Sequence, residues 1–206
     1  MSANAARPAE SDSPKRQQIL DAAADLFIAH GYGDVSMDAI ARAAGVSKAT
    51  LYAHFGSKDQ LFATIIGEAC QSNFAIKEFL TDDPDVRTTL SRLGTRMLSF
   101  LLEERALAIH RVVISESLRF PELGRAFFES GPKTFVRVFG DWLAAHAQAG
   151  RLRLDDPARA ADQFVGLLKC GTWTRAALRV PPSPDRAEID ATVSAAVETF
   201  LRAYGA

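Results

Sequence analysis

Cysteine is scarce: Cys70 and Cys170 are the only two in 206 residues, and they stand far apart in sequence. They cannot build a disulfide framework, and a reducing, cytoplasmic home is the simpler expectation. No window approaches 18 consecutive apolar residues, so no membrane span is expected. The opening MSANAARPAESDSP has no apolar core and does not read as a signal peptide. A charge excess is also missing. Lys plus Arg number 24 and Asp plus Glu 25, for a formal net charge of -1. That excludes a uniformly basic, histone-like binder, and any nucleic-acid contact must come from a local patch. No GxSxG, GxxxxGK or Gly-rich dinucleotide turn occurs. The four histidines, His30, His54, His110 and His146, are scattered, and none has further ligands at metal spacing. The expectations are therefore no enzyme, no cofactor and no metal.

What is present reads as helix. Apolar residues make up 48% and charged residues 24%, the balance of a soluble globular chain. No stretch alternates apolar and polar long enough to argue a strand. The first dozen residues, small and polar, are expected to be a disordered tail. Starts are marked by Ser13-Pro14, Asp83-Pro84, Gly131-Pro132, Asp156-Pro157, Asp185 and the capping box Ser57 to Gln60. Stops are marked by Gly31, Gly45, Gly56 and Gly150. The spacing predicts helices over 14–30, 37–44, 48–54, 58–80, 84–103, 105–119, 121–130, 132–149, 157–178 and 186–204. The fold class is all-α.

The informative stretch is SMDAIARAAGVSKATLYAHFGSK, Ser36 to Lys58. Ser36 is placed to cap a short helix with Ile40 and Ala44 on one side. Gly45 follows its last turn, where a left-handed residue is cheap for glycine alone. Ser47 is placed to cap a second helix that turns Leu51 and Phe55 inward. Helix, tight turn, helix is the layout whose second helix enters the DNA major groove. The outward residues Lys48, Thr50, Tyr52 and His54 offer a charge, a hydroxyl and polar tips on flat rings. From Ile40 to Lys58 there are three cations and no acid. Tyr52 suits both ring packing and a phosphate bond, and His54 suits either a cap or a DNA contact. Ser36 and Ser47 are caps first, and a capped helix start also favours phosphate.

These residues resemble the DNA-binding domain of TetR-type transcriptional regulators. The likeness is carried by Ile19-Leu20, Ala23, Phe27, Gly31-Tyr32, Ser36 and Ile40-Ala41. It continues through Ala44 to Ser47, Thr50 to Tyr52, His54-Phe55, Ser57-Lys58 and Leu61. A second segment, His110 to Gly124, is similar to the C-terminal domain of the AefR-like subgroup. The resemblance implies a cytoplasmic homodimer on a double-stranded DNA operator that usually represses and responds to a small-molecule effector. It places phosphate contacts at Ser36, Thr50, Tyr52, His54 and Lys58, and sets Ser47, Lys48 and Ala49 nearest the groove floor. Many members have glycine at the positions of Lys48 or Ala49, and the side chains here slightly change how close the backbone can lie to DNA.

The expected organisation is a tail (1–12), a three-helix DNA-binding domain with the helix-turn-helix (13–60), and a helical ligand and dimerisation domain (61–206) joined by a long fourth helix. Helices 157–178 and 186–204 are expected to pair with a second protomer, with Gly166 and Gly171 allowing close approach. Candidate pocket residues are Phe100, His110, Glu116, Phe139, Trp142, Cys170 and Trp173. Glu116 and Arg119, three apart, are placed to pair on the surface. Cys170, among Leu167, Leu168 and Trp173, reads as a buried structural thiol. The competing class is an all-helical enzyme or ligand-binding protein whose helix-turn-helix is not used on DNA, but no residue pattern argues for it.

Overall fold

The computed structural model describes residues 14–74, 80 and 85–206. The expected tail (1–12), the Ser13 cap, the Asp83-Pro84 helix start and most of the stretch beyond 74 in the expected fourth helix lie outside the described residues.

The order of elements is α1 (Pro14–His30), α2 (Met37–Ala43), α3 (Lys48–Phe55), α4 (Lys58–Phe74), α5 (Val86–Leu101), α6 (Glu104–Glu116), α7 (Pro121–Ser130), α8 (Pro132–Gln148), α9 (Pro157–Leu168), α10 (Gly171–Ala177) and α11 (Arg186–Tyr204). No strand occurs among the described residues. An isolated antiparallel bridge, Leu152 to Gly205, fastens the end of α11 to the α8–α9 connection. Side-chain caps set several starts: Asp156 accepts from Arg159 N at 3.0 Å and Asp185 from Glu188 N at 2.8 Å. At α5 the cap is Asp85, which accepts from Thr88 N at 3.1 Å, and the helix begins at Val86. The four stop glycines all carry positive φ.

One expected helix is two. The span 157–178 breaks after Leu168, where Lys169 closes α9 and Cys170 is extended at ψ -166°. Glycine at 171 weakens continuation. The break directs α10 towards α6, where Trp173 meets His110, and Thr172 shares a 2.9 Å hydrogen bond with Thr192 of α11. It also turns Cys170 out to solvent, so the expected buried thiol is exposed. Cys70 is the part-buried one, and burial pushes its thiol up to about 11.

Two apolar cores organise the chain. The second gathers α5, α8, α9 and α11 around Leu93, Phe139, Phe164 and Phe200, with Phe139 and Phe164 ring centroids 5.5 Å apart. The first holds Ile19, Phe27, Ile40, Leu51 and Phe62 from α1 to α4, and it also takes Ile109 and Val113 from α6 and Leu123 from α7. Each fully buried side chain of this size contributes about 1.5–3 kcal/mol. The DNA-binding unit of the sequence reading therefore shares its core with residues far beyond 60. Among the described residues, no helix is long and apolar enough to cross a membrane.

Candidate nucleic-acid interface

Ser36 leads into α2 in extended backbone, and its Oγ accepts from Ala39 N at 3.1 Å. The helix closes on Ala44. Gly45 then turns left-handed at φ 61°, its N–H donating to Arg42 O at 3.2 Å while Val46 N–H donates to Ala41 O at 3.0 Å. These are the paired bonds of a Schellman stop. Val46 packs back on the first core. Ser47 caps α3 by accepting from Thr50 N at 3.1 Å, and its hydroxyl also meets Thr50 Oγ1 at 2.8 Å. Leu51 and Phe55 are buried at 0% and 4% exposure, which fixes the rotation of α3 about its own axis.

That rotation turns the expected contact residues outward. Ser36, Ser47, Lys48, Ala49 and Tyr52 are exposed, and Thr50 and His54 are half-exposed. Tyr52 is 48% exposed and belongs to neither apolar core. His54 lies beside Phe55, ring centroids 5.9 Å apart. Lys48 is ion-paired with Asp38 of α2, a partner just outside the stretch in which no acid is present. Both ends of that pair are well exposed, so breaking it to meet phosphate costs at most about 1 kcal/mol.

Lys58 is placed differently from a free, phosphate-facing amine. Its Nζ donates to Tyr32 O at 2.7 Å and Val35 O at 2.9 Å, with Gly33 O at 3.5 Å. It also rests 4.2 Å from the centroid of the Tyr32 ring. Burial lowers its pKa, against the opposing fields of Glu116, Glu122 and Asp34. Tyr32 is held under this amine. Burial, then Asp59 and Glu122, push its hydroxyl up to about 12.

The seven candidate pocket residues do not converge. Phe139 is fully buried in the second core, with Trp142 stacked on it at 6.0 Å. Phe100 packs half-buried against the same core. His110 sits between Phe127 at 5.7 Å and Trp173 at 4.9 Å, where the two cores meet. Burial, then Lys169 and Arg111, push its imidazole down to about 4, so it is neutral. Cys170 faces solvent. Glu116 reaches the backbone amides of Tyr32 and Gly33 rather than Arg119, which lies over the Phe120 ring at 5.1 Å. A groove of about 300 Å³ runs past Leu80, Arg137, Val138, Asp141 and Trp142, so Trp142 is the one candidate on its wall. Among the described residues, no group of three or more His, Cys, Asp or Glu could hold a metal ion.

Comparison with known proteins agrees with this geometry. Residues 19–65 match the bacterial regulatory proteins of the tetR family, and residues 88–206 match the C-terminal domain of AefR-like transcriptional repressors. The chain is 30% identical to a TetR-family regulator of Mesorhizobium loti MAFF303099, with a TM-score of 0.80 over 95% of this chain and 100% of that one. It is 34% identical to the flavonoid-responsive regulator FrrA, with a TM-score of 0.76 over 93% of this chain and 97% of the other. The HTH-type transcriptional repressor AcnR of Corynebacterium efficiens is 27% identical over 176 residues, 82% of this chain and 86% of that protein. A helix-turn-helix with its reading face open and an AefR-like helical domain behind it make this chain a DNA-binding transcriptional regulator, not an enzyme, and it belongs to the TetR family.

Proposed function

We propose that the protein is a cytoplasmic homodimeric repressor. It reads a pseudo-palindromic operator with two α3 helices and lets go when a small, largely apolar effector binds. One observation carries the reading: α3 is locked by Leu51 and Phe55 so that Ser47, Lys48, Ala49, Thr50, Tyr52 and His54 all face away from the core. Ser36, Thr50, Tyr52 and His54 meet phosphates, while Ser47, Lys48 and Ala49 lie nearest the base edges. Contacts of the first kind set register, and those of the second carry sequence information.

The dimer is supported by small residues on the solvent sides of α9 and α11, set among the exposed Arg159, Asp162, Gln163, Asp190 and Arg202. Ala187, Ala191, Ser194, Ala195 and Ala203 are exposed along α11, and Gly166 of α9 has nothing within 4 Å of its would-be Cβ. Two such protomers form a four-helix bundle. Their two-fold axis sets recognition helices roughly 34–36 Å apart, one turn of DNA. The effector enters where the two cores meet, beside His110 and Trp173. The aromatic neighbours Phe127 and Trp173 suit an apolar body, and the flavonoid-responsive relative is consistent with that class. Such a ligand releases DNA only by preferring the conformation that does not bind it.

Selection of random duplexes by the purified protein tests the reading. The expected outcome is an enriched inverted repeat whose half-sites lie one helical turn apart. A folded, dimeric sample that enriches nothing at low salt overturns it.

A further inference from the structure

The connection from α1 to α2, residues 31–36, is gripped from both sides by segments remote in sequence. On one side Glu116, at the end of α6, accepts from Tyr32 N at 3.0 Å through Oε1 and from Gly33 N at 2.7 Å through Oε2. On the other, Lys58 gathers the carbonyls of Tyr32, Gly33 and Val35. Phe120, at the start of α7, sets its ring edge-on against Tyr32 at 5.5 Å. The fit excludes side chains from two positions. A Cβ at Gly31 would run into Glu116 Oε1, and one at Gly33 would come within 2.8 Å of the Phe120 ring.

A carboxylate held by two backbone N–H groups makes charge-assisted bonds, roughly twice as strong as neutral ones. The two oxygens hold the N–H groups of two successive peptides, so they fix the orientation of the turn and not only its distance. The helix α2 starts at Met37, four residues after Gly33, and α3 is set on α2 by the Gly45 stop. A change in how Glu116 holds the loop is therefore delivered to the reading helix. We infer that Glu116 is a positioning residue for DNA recognition, orienting the α2–α3 pair against the α6–α7 elbow. This rests on the DNA-reading function proposed above.

The test compares Glu116→Ala and Glu116→Gln in the full chain, with Glu104→Ala as control. Glu104 is on the same helix and pairs with Arg111 and Arg179 instead. Two quantities are read: amide hydrogen exchange at Tyr32 and Gly33, and the ratio of affinities for the selected duplex and a random one. Glu116→Ala is expected to lose about tenfold or more in protection at those two amides, the effect of removing bonds to a charged group. The selected-to-random ratio is expected to fall about tenfold as well, because random binding rests on charge and tolerates misorientation. Glu116→Gln, which keeps one acceptor oxygen, falls between, and it decides the matter if the alanine variant does not fold. Glu104→Ala matches the wild type. A merely structural role would lower both affinities together and leave the ratio alone, which overturns the inference, as does unchanged amide protection. If the wild type enriches no duplex, the functional reading fails and the role in recognition falls with it. The amide exchange then reports separately whether Glu116 orients the loop.

Discussion

Replacing Lys58 with Met separates two accounts of one cation. The substitution keeps an aliphatic stem against Tyr32 and removes the ammonium. Two short bonds are lost, to Tyr32 O at 2.7 Å and Val35 O at 2.9 Å, with a longer one to Gly33 O. Buried hydrogen bonds to a charged group contribute roughly 1.5–3 kcal/mol each. Lys58 is only half-buried, so water takes over part of those carbonyls in the variant, and about 2 kcal/mol of lost stability is the reasoned net. At about 2–4 °C per kcal/mol for a chain of this size, Tm falls by about 4–8 °C. A phosphate contact leaves the opposite signature. Removing it flattens the dependence of log affinity on log salt by about 0.9 and leaves unfolding alone. The assay pairs a thermal melt with operator titrations at several salt concentrations. The expected result is a lower Tm and an unchanged slope. An unchanged Tm with a slope reduced by about one unit would refute the reasoning and return Lys58 to the DNA backbone.

Gly45 takes φ 61° with nothing within 4 Å of an added Cβ, so substitution there meets only backbone strain. Gly45→Val should cost roughly 1–3 kcal/mol and weaken operator binding, whereas Gly45→Asn should lose much less; equal melts for the two variants would contradict this. His110 has a folded pKa of about 4, below its ordinary 6.5, so the fold favours neutral imidazole. Its contribution is complete above about pH 6.5 and is lost as pH falls towards 4, by roughly 1–2 kcal/mol once solvent screening is allowed for. Denaturant melts across that window should show the wild type losing stability relative to His110→Phe as pH falls, and parallel curves would count against it. At neutral pH a thiol reagent should modify exposed Cys170 quickly and Cys70, pushed up to about 11, slowly. Equal rates at the two thiols in folded protein would contradict that assignment.

The reading helix was legible because its signals are local. Ser36, Gly45 and Ser47 act on residues within a few positions, and Leu51 and Phe55 sit one turn apart, so their spacing alone orients α3. What was not legible depends on contacts across the chain. Glu116 looks like half of a surface pair with Arg119 until the fold brings Tyr32 and Gly33, 84 and 83 residues away, to its two oxygens. The same holds for Lys58, whose neighbours in sequence give no hint of three carbonyls from residues 32–35. The expected boundary at 60 marks the end of the motif. The first core runs on because Ile109, Val113 and Leu123 close its open side. Cys170 was misplaced through its neighbours: Leu168 is buried, but the helix break between them turns the next exposed position outward.

The shared first core sets a rule for recombining such regulators. A chimaera cut near residue 60 would join a foreign sensing half to α1–α4 through whatever side chains replace Ile109, Val113 and Leu123. Those three are buried at 6%, 5% and 0% exposure, so mismatches there leave voids or overlaps that well-packed interiors do not tolerate. Grafts that carry 104–130 along with the DNA-reading helices keep this seam intact and move the junction to the second core. A sensor assembled that way inherits its operator preference together with the elbow that aims it.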